Sequence, residues 1–158
     1  IMPSLPTVVH IALVSPEDKW CAQCHTIETQ CYPEREALNI SNESSKPGMH
    51  ILCAHQSVEN EGSNTCLGYV LFQKTSRCVA IIKIVVLPAS RRQGIGKKLL
   101  KSAAEFAMDK CITICSLNVE ETNSAAISLY KSEGFSVVYR REDFYALRRH
   151  ALQMEKEL

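Results

Sequence analysis

The stretch that decides the fold is Ile84-Val-Val-Leu-Pro-Ala-Ser-Arg91-Arg92-Gln93-Gly94-Ile95-Gly96-Lys97-Lys98-Leu-Leu100. It begins with β-branched residues typical of a strand, passes through a proline and two glycines, and continues with the periodicity of a helix. Backbone N–H groups at the start of a helix point at a common position, and the helix dipole favours an anion there. Gly94 and Gly96 allow that backbone to approach a ligand closely. We call residues 84–97 the anion junction.

Basic residues surround the anion junction. Arg91 and Arg92 precede the helix, and Lys97 and Lys98 lie in its first turn. Cations at a helix N-terminus oppose the dipole, so they indicate a compensating anion such as a diphosphate. The alternative is a glycine-rich turn with a solvated basic face. The spacing matches neither the dinucleotide fingerprint, which needs a third glycine, nor a Walker loop, which needs Gly-Lys-Ser/Thr.

Composition excludes several classes of protein. The chain has 158 residues, of which 46% are hydrophobic, and its 18 Lys+Arg and 17 Asp+Glu give a formal net charge of +1. This length predicts a single domain over 1–158, and the near-neutral charge argues against bulk electrostatic binding of nucleic acid. The best apolar run, Val79 to Pro88, is about half of the ~20 residues that a transmembrane helix needs. The first residues also lack the basic leader of a signal peptide.

Eight cysteines are many for this length. Several lie in apolar runs, where a free thiol acts as a small core residue, so we expect reduced thiols and a cytoplasmic location. The segment Cys21-Ala-Gln-Cys24-His25 also fits haem attachment or half of a zinc site. No second ligand pair with short spacing accompanies it, and the sequence therefore predicts no metal.

The same segment fits an ordinary helix. Ser15 can serve as N-cap and Pro16 as the first position of a helix that runs to about Gln30. On that helix Cys21, Cys24 and Cys31 share one inward face.

Strands and helices alternate along the chain. The predicted strands are Val8 to Val14, His50 to His55, Leu67 to Phe72, Val79 to Leu87, Ile112 to Val119, Phe135 to Arg140 and Ala151 to Leu158. Two further helices are predicted at Gly94 to Lys110 and at Ser124 to Ser132, the latter ended by Gly134. The polar segments Leu38 to Pro47 and Ser57 to Thr65 are interpreted as a loop or frayed helix end and as a turn. This order predicts a mixed α/β domain around one sheet.

Two motifs resemble the GNAT superfamily of N-acetyltransferases. The segment Arg91-Arg-Gln-Gly-Ile-Gly96, followed by two leucines, is similar to its acetyl-CoA loop. The segment Asn123-Ser-Ala-Ala-Ile-Ser-Leu-Tyr130-Lys-Ser-Glu-Gly134-Phe135 is similar to its second signature, Asn-x-x-Ala-x-x-x-Tyr-x-x-x-Gly-Phe. The end of the chain resembles the protein N-terminal acetyltransferases of the RimI and Ard1 types. The resemblance covers about Val79 to Leu158 and implies an α/β (α+β) fold, with a mixed, mostly antiparallel central sheet flanked by helices.

The resemblance implies transfer of an acetyl group from acetyl-CoA to a primary amine by direct attack, without a metal. Backbone groups of Ile84, Val85 and Val86 would contact the pantetheine arm. The diphosphate would be held by Arg91, Arg92, Gln93, Gly94, Ile95, Gly96 and Lys97. Asn123 would hydrogen-bond the pantetheine, and Tyr130, two turns along the same helix face, would protonate the leaving thiolate. The alternative for Tyr130 is a half-buried core aromatic.

The usual positions do not supply a general base. The RimI type has a Glu where Asn118 stands, and other members have a Tyr where Ala80 stands. Neither residue here can take a proton from an ammonium group at neutral pH. Glu120, on the same strand face as Asn118, and Glu34, in the predicted substrate loop, are the remaining candidates.

The acceptor amine is open between two substrate classes. The resemblance puts Tyr32, Phe144 and Tyr145 where N-terminal acetyltransferases build a peptide slot. Pro33 and Asn118 are predicted to bind substrate with them. The segment Tyr32-Pro-Glu-Arg-Glu36-Ala37 also resembles arylalkylamine acetyltransferases, which makes a small amine the alternative. A third interpretation is a non-catalytic subunit that keeps CoA and binds a second chain. No nucleic-acid or membrane partner is expected, and the resemblance allows an auxiliary subunit.

Overall fold

The computed structural model of this chain describes residues 8–57 and 64–158. Its strands are β1 (Val9–Val14), β2 (Met49–Ser57), β3 (Asn64–Lys74), β4 (Val79–Val86), β5 (Ile114–Glu120), β6 (Ser136–Ala146) and β7 (Arg149–Glu157). Its α-helices are α1 (Lys19–Cys31), α2 (Ile40–Ser44), α3 (Ile95–Asp109) and α4 (Ser124–Ser132), and a short 3-10 helix covers Pro88–Ser90. Most of the predicted turn between Ser57 and Thr65 lies outside the described residues.

The strands form one mixed sheet in the order β1-β2-β3-β4-β5-β7-β6. The pairs β1–β2, β5–β7 and β6–β7 are antiparallel, whereas β4 and β5 are parallel. This arrangement confirms the predicted mixed α/β fold around a central sheet with flanking helices.

The chain divides into two compact units. The first comprises the chain up to Leu71 together with Lys83–Ser102, and the second comprises Phe72–Ile82 together with Ala103–Leu158. Because the division cuts through β3, β4 and α3, each of these elements contributes residues to both units. The single domain expected over 1–158 stays a prediction.

The first unit has a hydrophobic core against which α1 packs. Apolar residues of α1, α2, β2 and β3 pack together there, among them Trp20, Ile27, Ile40, Ile51 and Leu71. The predicted start of α1 is wrong by three residues, because the Asp18 carboxylate accepts the Trp20 N–H at 3.3 Å and caps the helix. Ser15 instead accepts the Asp18 N–H in a preceding turn. A carboxylate also interacts favourably with the helix dipole, so Asp18 is the stronger cap.

The second unit packs α3 residues beyond Ser102 against strands. Phe72 and Phe106 meet edge to face with ring centroids 5.0 Å apart, and Cys115, Leu117 and Met154 are buried. β6 forms the edge of the sheet and is exposed along its whole length.

The helices follow local sequence signals closely. The bounds predicted for α4 are confirmed, and Gly134 ends this helix with a φ of 91°. The polar segment predicted as a loop or frayed helix end contains α2, because the Asn39 side chain accepts the Asn42 N–H at 3.1 Å and Ile40 is buried. Across residues 8–57 and 64–158, no helix combines the length and hydrophobicity needed to span a membrane.

Candidate active site

The anion junction has the predicted strand–turn–helix geometry. The chain leaves β4, passes through the 3-10 helix, and turns through Arg92 and Gly94 with φ values of 61° and 77° before α3 begins at Ile95. A Cβ at Gly94 would meet no protein atom within 4 Å. The first N–H groups of α3 lack carbonyl partners within the helix, and Gly94 has no side chain to cap them. The start of α3 therefore has the geometry that can present N–H donors to a ligand.

The cations of the junction are arranged differently from one another. Arg91 folds back along the chain, and its Nε donates to the Val86 carbonyl at 3.0 Å. Arg92 and Gln93 are exposed. The Lys98 ammonium donates to the Val9 carbonyl of β1 at 3.2 Å. This contact weakens part of the sequence argument, because it gives the Lys98 ammonium an acceptor in the first unit.

The end of β4 that leads into the junction lies outside the ladder with β5. That ladder runs from the pair Val79–Cys115 to the pair Ile81–Leu117. On the β3 side, a Cβ at Gly68 would lie 2.5 Å from the Val85 carbonyl oxygen. Only glycine fits there, so Gly68 brings β3 close to the strand residues predicted to contact the pantetheine arm.

A buried carboxylate that the sequence interpretation missed organises the first unit. Glu28 on α1 is completely buried and accepts hydrogen bonds from the Tyr69 hydroxyl and the Lys83 ammonium. It also accepts the Leu38 N–H at 2.9 Å. Burial, followed by the hydrogen bond to Glu28, raises the pKa of Tyr69, which keeps its hydroxyl protonated as a donor. We call Glu28, Tyr32, Tyr69 and Lys83 the Glu28 cluster.

The predicted substrate loop leaves α1 through this cluster. The Lys83 ammonium lies 3.5 Å from the centroid of the Tyr32 ring, a cation–π contact. Burial, and then the negative charge of Glu28, raises the pKa of Tyr32. Pro33 and Glu34 follow and are exposed. Glu28 therefore connects both ends of the loop, through Lys83 to Tyr32 and directly to Leu38.

Two signals in the sequence could have revealed the Glu28 cluster. Glu28 lies four residues after Cys24 and three before Cys31, on the same inward face of α1. Lys83 is a charge inside an otherwise apolar strand. Charged residues are almost never fully buried unless paired, so two embedded charges of opposite sign indicate an ion pair.

The second unit holds the predicted thioester-side residues on α4. Asn123 caps this helix, because its Oδ1 accepts the Ala126 N–H at 3.2 Å. Its amide nitrogen is the donor suited to a ligand. Tyr130 is half-buried, and its ring lies edge-on to Phe135 with centroids 6.1 Å apart. This position is compatible with both the catalytic and the core interpretation of Tyr130.

One candidate base is held by an arginine. Arg149 donates from Nε and Nη2 to the two carboxylate oxygens of Glu120, at 2.7 and 3.1 Å. These hydrogen bonds lower the pKa of Glu120, which makes it a weaker base than an unpaired glutamate. Arg149 also lies over the Tyr145 ring at 5.8 Å. The structure thus links a predicted base to a predicted substrate residue through Arg149.

The other predicted acceptor residues of this unit are exposed. Phe144 packs edge-on against Tyr145 with centroids 5.0 Å apart. Asn118 is exposed on β5 and pairs with Gln153 of β7. Their roles stay predictions.

The sequence and the fold of this chain were compared with those of known proteins. Residues 17–135 match the family described as Acetyltransferase (GNAT) family. Thialysine N-epsilon-acetyltransferase from Sus scrofa is 31% identical over 134 residues, which cover 80% of this chain and 79% of that protein. Ribosomal protein bS18-alanine N-acetyltransferase from Escherichia coli (strain K12) is 34% identical over 65 residues, covering 41% of this chain and 44% of that protein. Ard1 from Thermoplasma volcanium has the same fold, with a TM-score of 0.76 at 18% identity, covering 95% of this chain and 97% of that chain.

Proposed function

Because this chain belongs to the GNAT family of acetyltransferases and is an N-acetyltransferase, we propose that its acceptor is the N-terminal amine of a peptide or protein. The bacterial relative is, by its name, an N-acetyltransferase for an alanine of a ribosomal protein. The resemblance to N-terminal acetyltransferases assigns Phe144 and Tyr145, whose rings pack together, to a peptide slot. The observation that carries the acetyl-CoA part of the proposal is the geometry of the anion junction.

The anion junction fits the diphosphate of acetyl-CoA. Space beside Gly94, the N–H groups of the first turn of α3, and the exposed guanidinium of Arg92 all suit an anionic group. Backbone groups of Ile84, Val85 and Val86, beyond the β4–β5 ladder, are proposed to bind the pantetheine arm. The remaining ligands of the diphosphate are proposed to be Arg91, Gln93, Ile95, Gly96 and Lys97, with Asn123 on the pantetheine. When bound, acetyl-CoA supplies an acetyl group activated as a thioester.

Two proton transfers are assigned to this chain. Tyr130 is proposed to donate its phenolic proton to the leaving thiolate. The acceptor ammonium must lose a proton before its nitrogen can attack the thioester carbon. Glu34 and Glu120 are the candidate bases, directly or through water. The ion pair with Arg149 favours Glu34, because it lowers the pKa of Glu120 and so reduces the affinity of Glu120 for the proton.

A small amine is the second candidate acceptor. The thialysine acetyltransferase is similar over 80% of this chain, whereas the bacterial alanine N-acetyltransferase is similar over 41%. This wider similarity is the observation that favours the small-amine alternative.

A matched panel of acceptors separates the two candidates. Each peptide is assayed with a free N-terminus and with a blocked one, alongside thialysine and small aromatic amines, by release of the CoA thiol. We expect turnover of the free peptides alone. Turnover of thialysine with none of the free peptides would support the small-amine alternative instead. No turnover of any acceptor would contradict both.

The role of Tyr130 is tested with Tyr130→Phe. The acid role predicts a fall in kcat of about 10²–10⁴-fold with unchanged acetyl-CoA affinity. Tyr139→Phe, an exposed tyrosine on β6, is the matched control. An unchanged kcat would remove Tyr130 from the acid role. In Glu34→Gln and Glu120→Gln, only loss of the true base removes the acidic limb of the pH–rate profile.

Three broader assignments remain proposals. We propose that residues 1–158 act as one domain, that the protein works in the cytoplasm, and that an auxiliary subunit positions its acceptor. The free state of every cysteine in the described part of the chain supports a reducing compartment.

A further inference from the structure

Three cysteines from distant parts of the sequence converge in the core of the first unit. Cys24 on α1, Cys53 on β2 and Cys66 on β3 are all buried, with exposed fractions of 0%, 0% and 2%. Their sulfur atoms all lie within 4.8 Å of one another. The Sγ atoms of Cys53 and Cys66 are 2.7 Å apart, and those of Cys24 and Cys66 are 4.0 Å apart. We call these residues the thiol triad.

The thiol triad differs from the segment that the sequence singled out. Cys21 turns away from it toward the Ser44 hydroxyl, 4.0 Å from its sulfur, and His25 is exposed. Cys24 alone of that segment joins the triad, and its partners come from two neighbouring strands. The prediction of no metal rested on the missing second ligand pair, which the fold supplies from residues far apart in sequence.

Three convergent sulfurs have the chemistry of a soft metal site. Thiolates select Zn²⁺, Cu⁺ and iron–sulfur clusters over hard cations. At a Zn–S distance of about 2.3 Å, two sulfurs on one ion lie about 3.8–4.0 Å apart. Cys24 and Cys66 already have this spacing. Cys53 and Cys66 would separate by about 1 Å, a displacement within reach of a cysteine χ1 rotation.

His55 on β2 is the candidate for a fourth ligand, although its ring nitrogens lie outside the 4.8 Å group that the three sulfurs form. His55 lies two residues after Cys53, so both side chains leave the strand on the same face. Its Nδ1 is buried and has no hydrogen-bond partner among the described residues. A buried ring nitrogen without a partner is costly unless it meets a donor or a metal. The ring stacks on Trp20 with centroids 4.6 Å apart, so ligation would need it to shift within that stack.

We propose that Cys24, Cys53 and Cys66 bind one thiophilic metal ion, with His55 as the fourth ligand when the ion is Zn²⁺. Binding replaces three S–H bonds with metal–sulfur bonds and releases three protons to solvent. The ion would cross-link α1, β2 and β3 in the core. The proposal does not depend on the acceptor amine or on catalysis.

The direct test uses the reduced, metal-free wild-type protein. Titration with Co²⁺ should produce an intense thiolate-to-metal charge-transfer band that saturates at one ion per chain. Zn²⁺ should displace Co²⁺, raise the melting temperature, and protect three thiols from alkylation. No charge-transfer band and no change in melting temperature would overturn the proposal without any variant.

Variants then assign the ligands. Cys66→Ala should lose the charge-transfer band, whereas Cys115→Ala, another buried free cysteine outside the triad, should keep it. His55→Ala should lower the affinity for Zn²⁺ at least tenfold. It should leave the affinity for Cu⁺ unchanged, because three thiolates complete the coordination of Cu⁺. Wild-type affinity in Cys66→Ala would overturn the site. A disulfide between Cys53 and Cys66 that forms equally fast with and without Zn²⁺ would also overturn it.

Discussion

The anion junction and the Glu28 cluster both lie in the first unit, yet different partners define them. Arg92, Gln93 and Gly94 of the junction are exposed, and the space beside Gly94 is open. Glu28 is completely buried and receives three donors from the protein itself. The junction is therefore shaped for a ligand, and the cluster for the fold. Substitutions in the junction should reduce acetyl-CoA affinity first, and those in the cluster should reduce stability first.

The largest loss of stability is expected from Glu28→Gln. This change leaves the Lys83 ammonium, whose side chain is 16% exposed, without its carboxylate. Breaking a buried ion pair typically costs about 3–5 kcal/mol of unfolding free energy. Urea unfolding measures it. The double variant Glu28→Gln, Lys83→Met should recover much of the loss, because no unpaired charge remains. A single variant within about 1 kcal/mol of wild type would remove Glu28 from its structural role.

Gly68→Ala should cost somewhat less. The added Cβ would lie 2.5 Å from the Val85 carbonyl oxygen, so β3 and β4 must move apart. Overpacking of this kind costs about 1–3 kcal/mol. Chemical denaturation reads the loss, and weaker acetyl-CoA binding should accompany it, since Val85 belongs to the anion junction. Wild-type stability would show that the strands separate without cost.

Gly94 tests the other side of the comparison. Gly94→Ala should lose about 1–2 kcal/mol of stability, because its φ of 77° is left-handed. Gly94→Asn should lose less, since Asn tolerates that conformation. Both variants should weaken the binding of acetyl-CoA by about tenfold or more. The added side chain would obstruct the charge-assisted hydrogen bonds between the helix N–H groups and the diphosphate. Calorimetric titration measures the affinity. Wild-type affinity in Gly94→Asn would mean that backbone strain, not ligand approach, selects glycine.

The smallest loss of stability is expected from breaking the partly exposed ion pair between Arg149 and Glu120. The side chains of Arg149 and Glu120 are 42% and 30% exposed, so Arg149→Gln should cost only about 0.2–1 kcal/mol at neutral pH. Arg149 lowers the pKa of Glu120 below its usual value of about 4.5. A carboxyl whose pKa is lower in the folded state stabilises that state fully at pH values above its unfolded pKa. This stabilisation is lost as the pH falls through the folded-state pKa.

The stability difference between wild type and Arg149→Gln should therefore shrink as the pH falls below about 4.5. Unfolding curves from neutral pH downward measure it. Arg148→Gln, an exposed neighbour, should show no such trend. A difference that grows toward acid pH would contradict the assignment of the ion pair.

The same contrast explains what the sequence could predict. The anion junction and α4 are local, because their glycines, caps and periodicity lie within a few residues of one another. The Glu28 cluster joins residues 41 and 55 positions apart, and Cys24 meets Cys66 across 42 positions. Local patterns can mark Glu28 and Lys83 as embedded charges, but they do not show which distant residues each of them contacts. The contact of Lys98 with β1 is hidden from the sequence for the same reason, since its partner lies 89 residues earlier.

Errors in the elements have equally physical causes. Ser15 and Asp18 are both good N-cap residues, and only the structure shows that the carboxylate caps the helix. The segment around α2 is polar enough to suggest a loop, but the burial of Ile40 stabilises a short helix there.

The most direct test of the central claim is where the acetyl group goes. A peptide with a free N-terminus and one internal lysine is incubated with acetyl-CoA and the full-length protein, then fragmented in a mass spectrometer. The account predicts one added acetyl group on the N-terminal nitrogen, formed far more slowly by Tyr130→Phe. An acetyl group on the lysine side chain, or none at all while thialysine is acetylated, would contradict it.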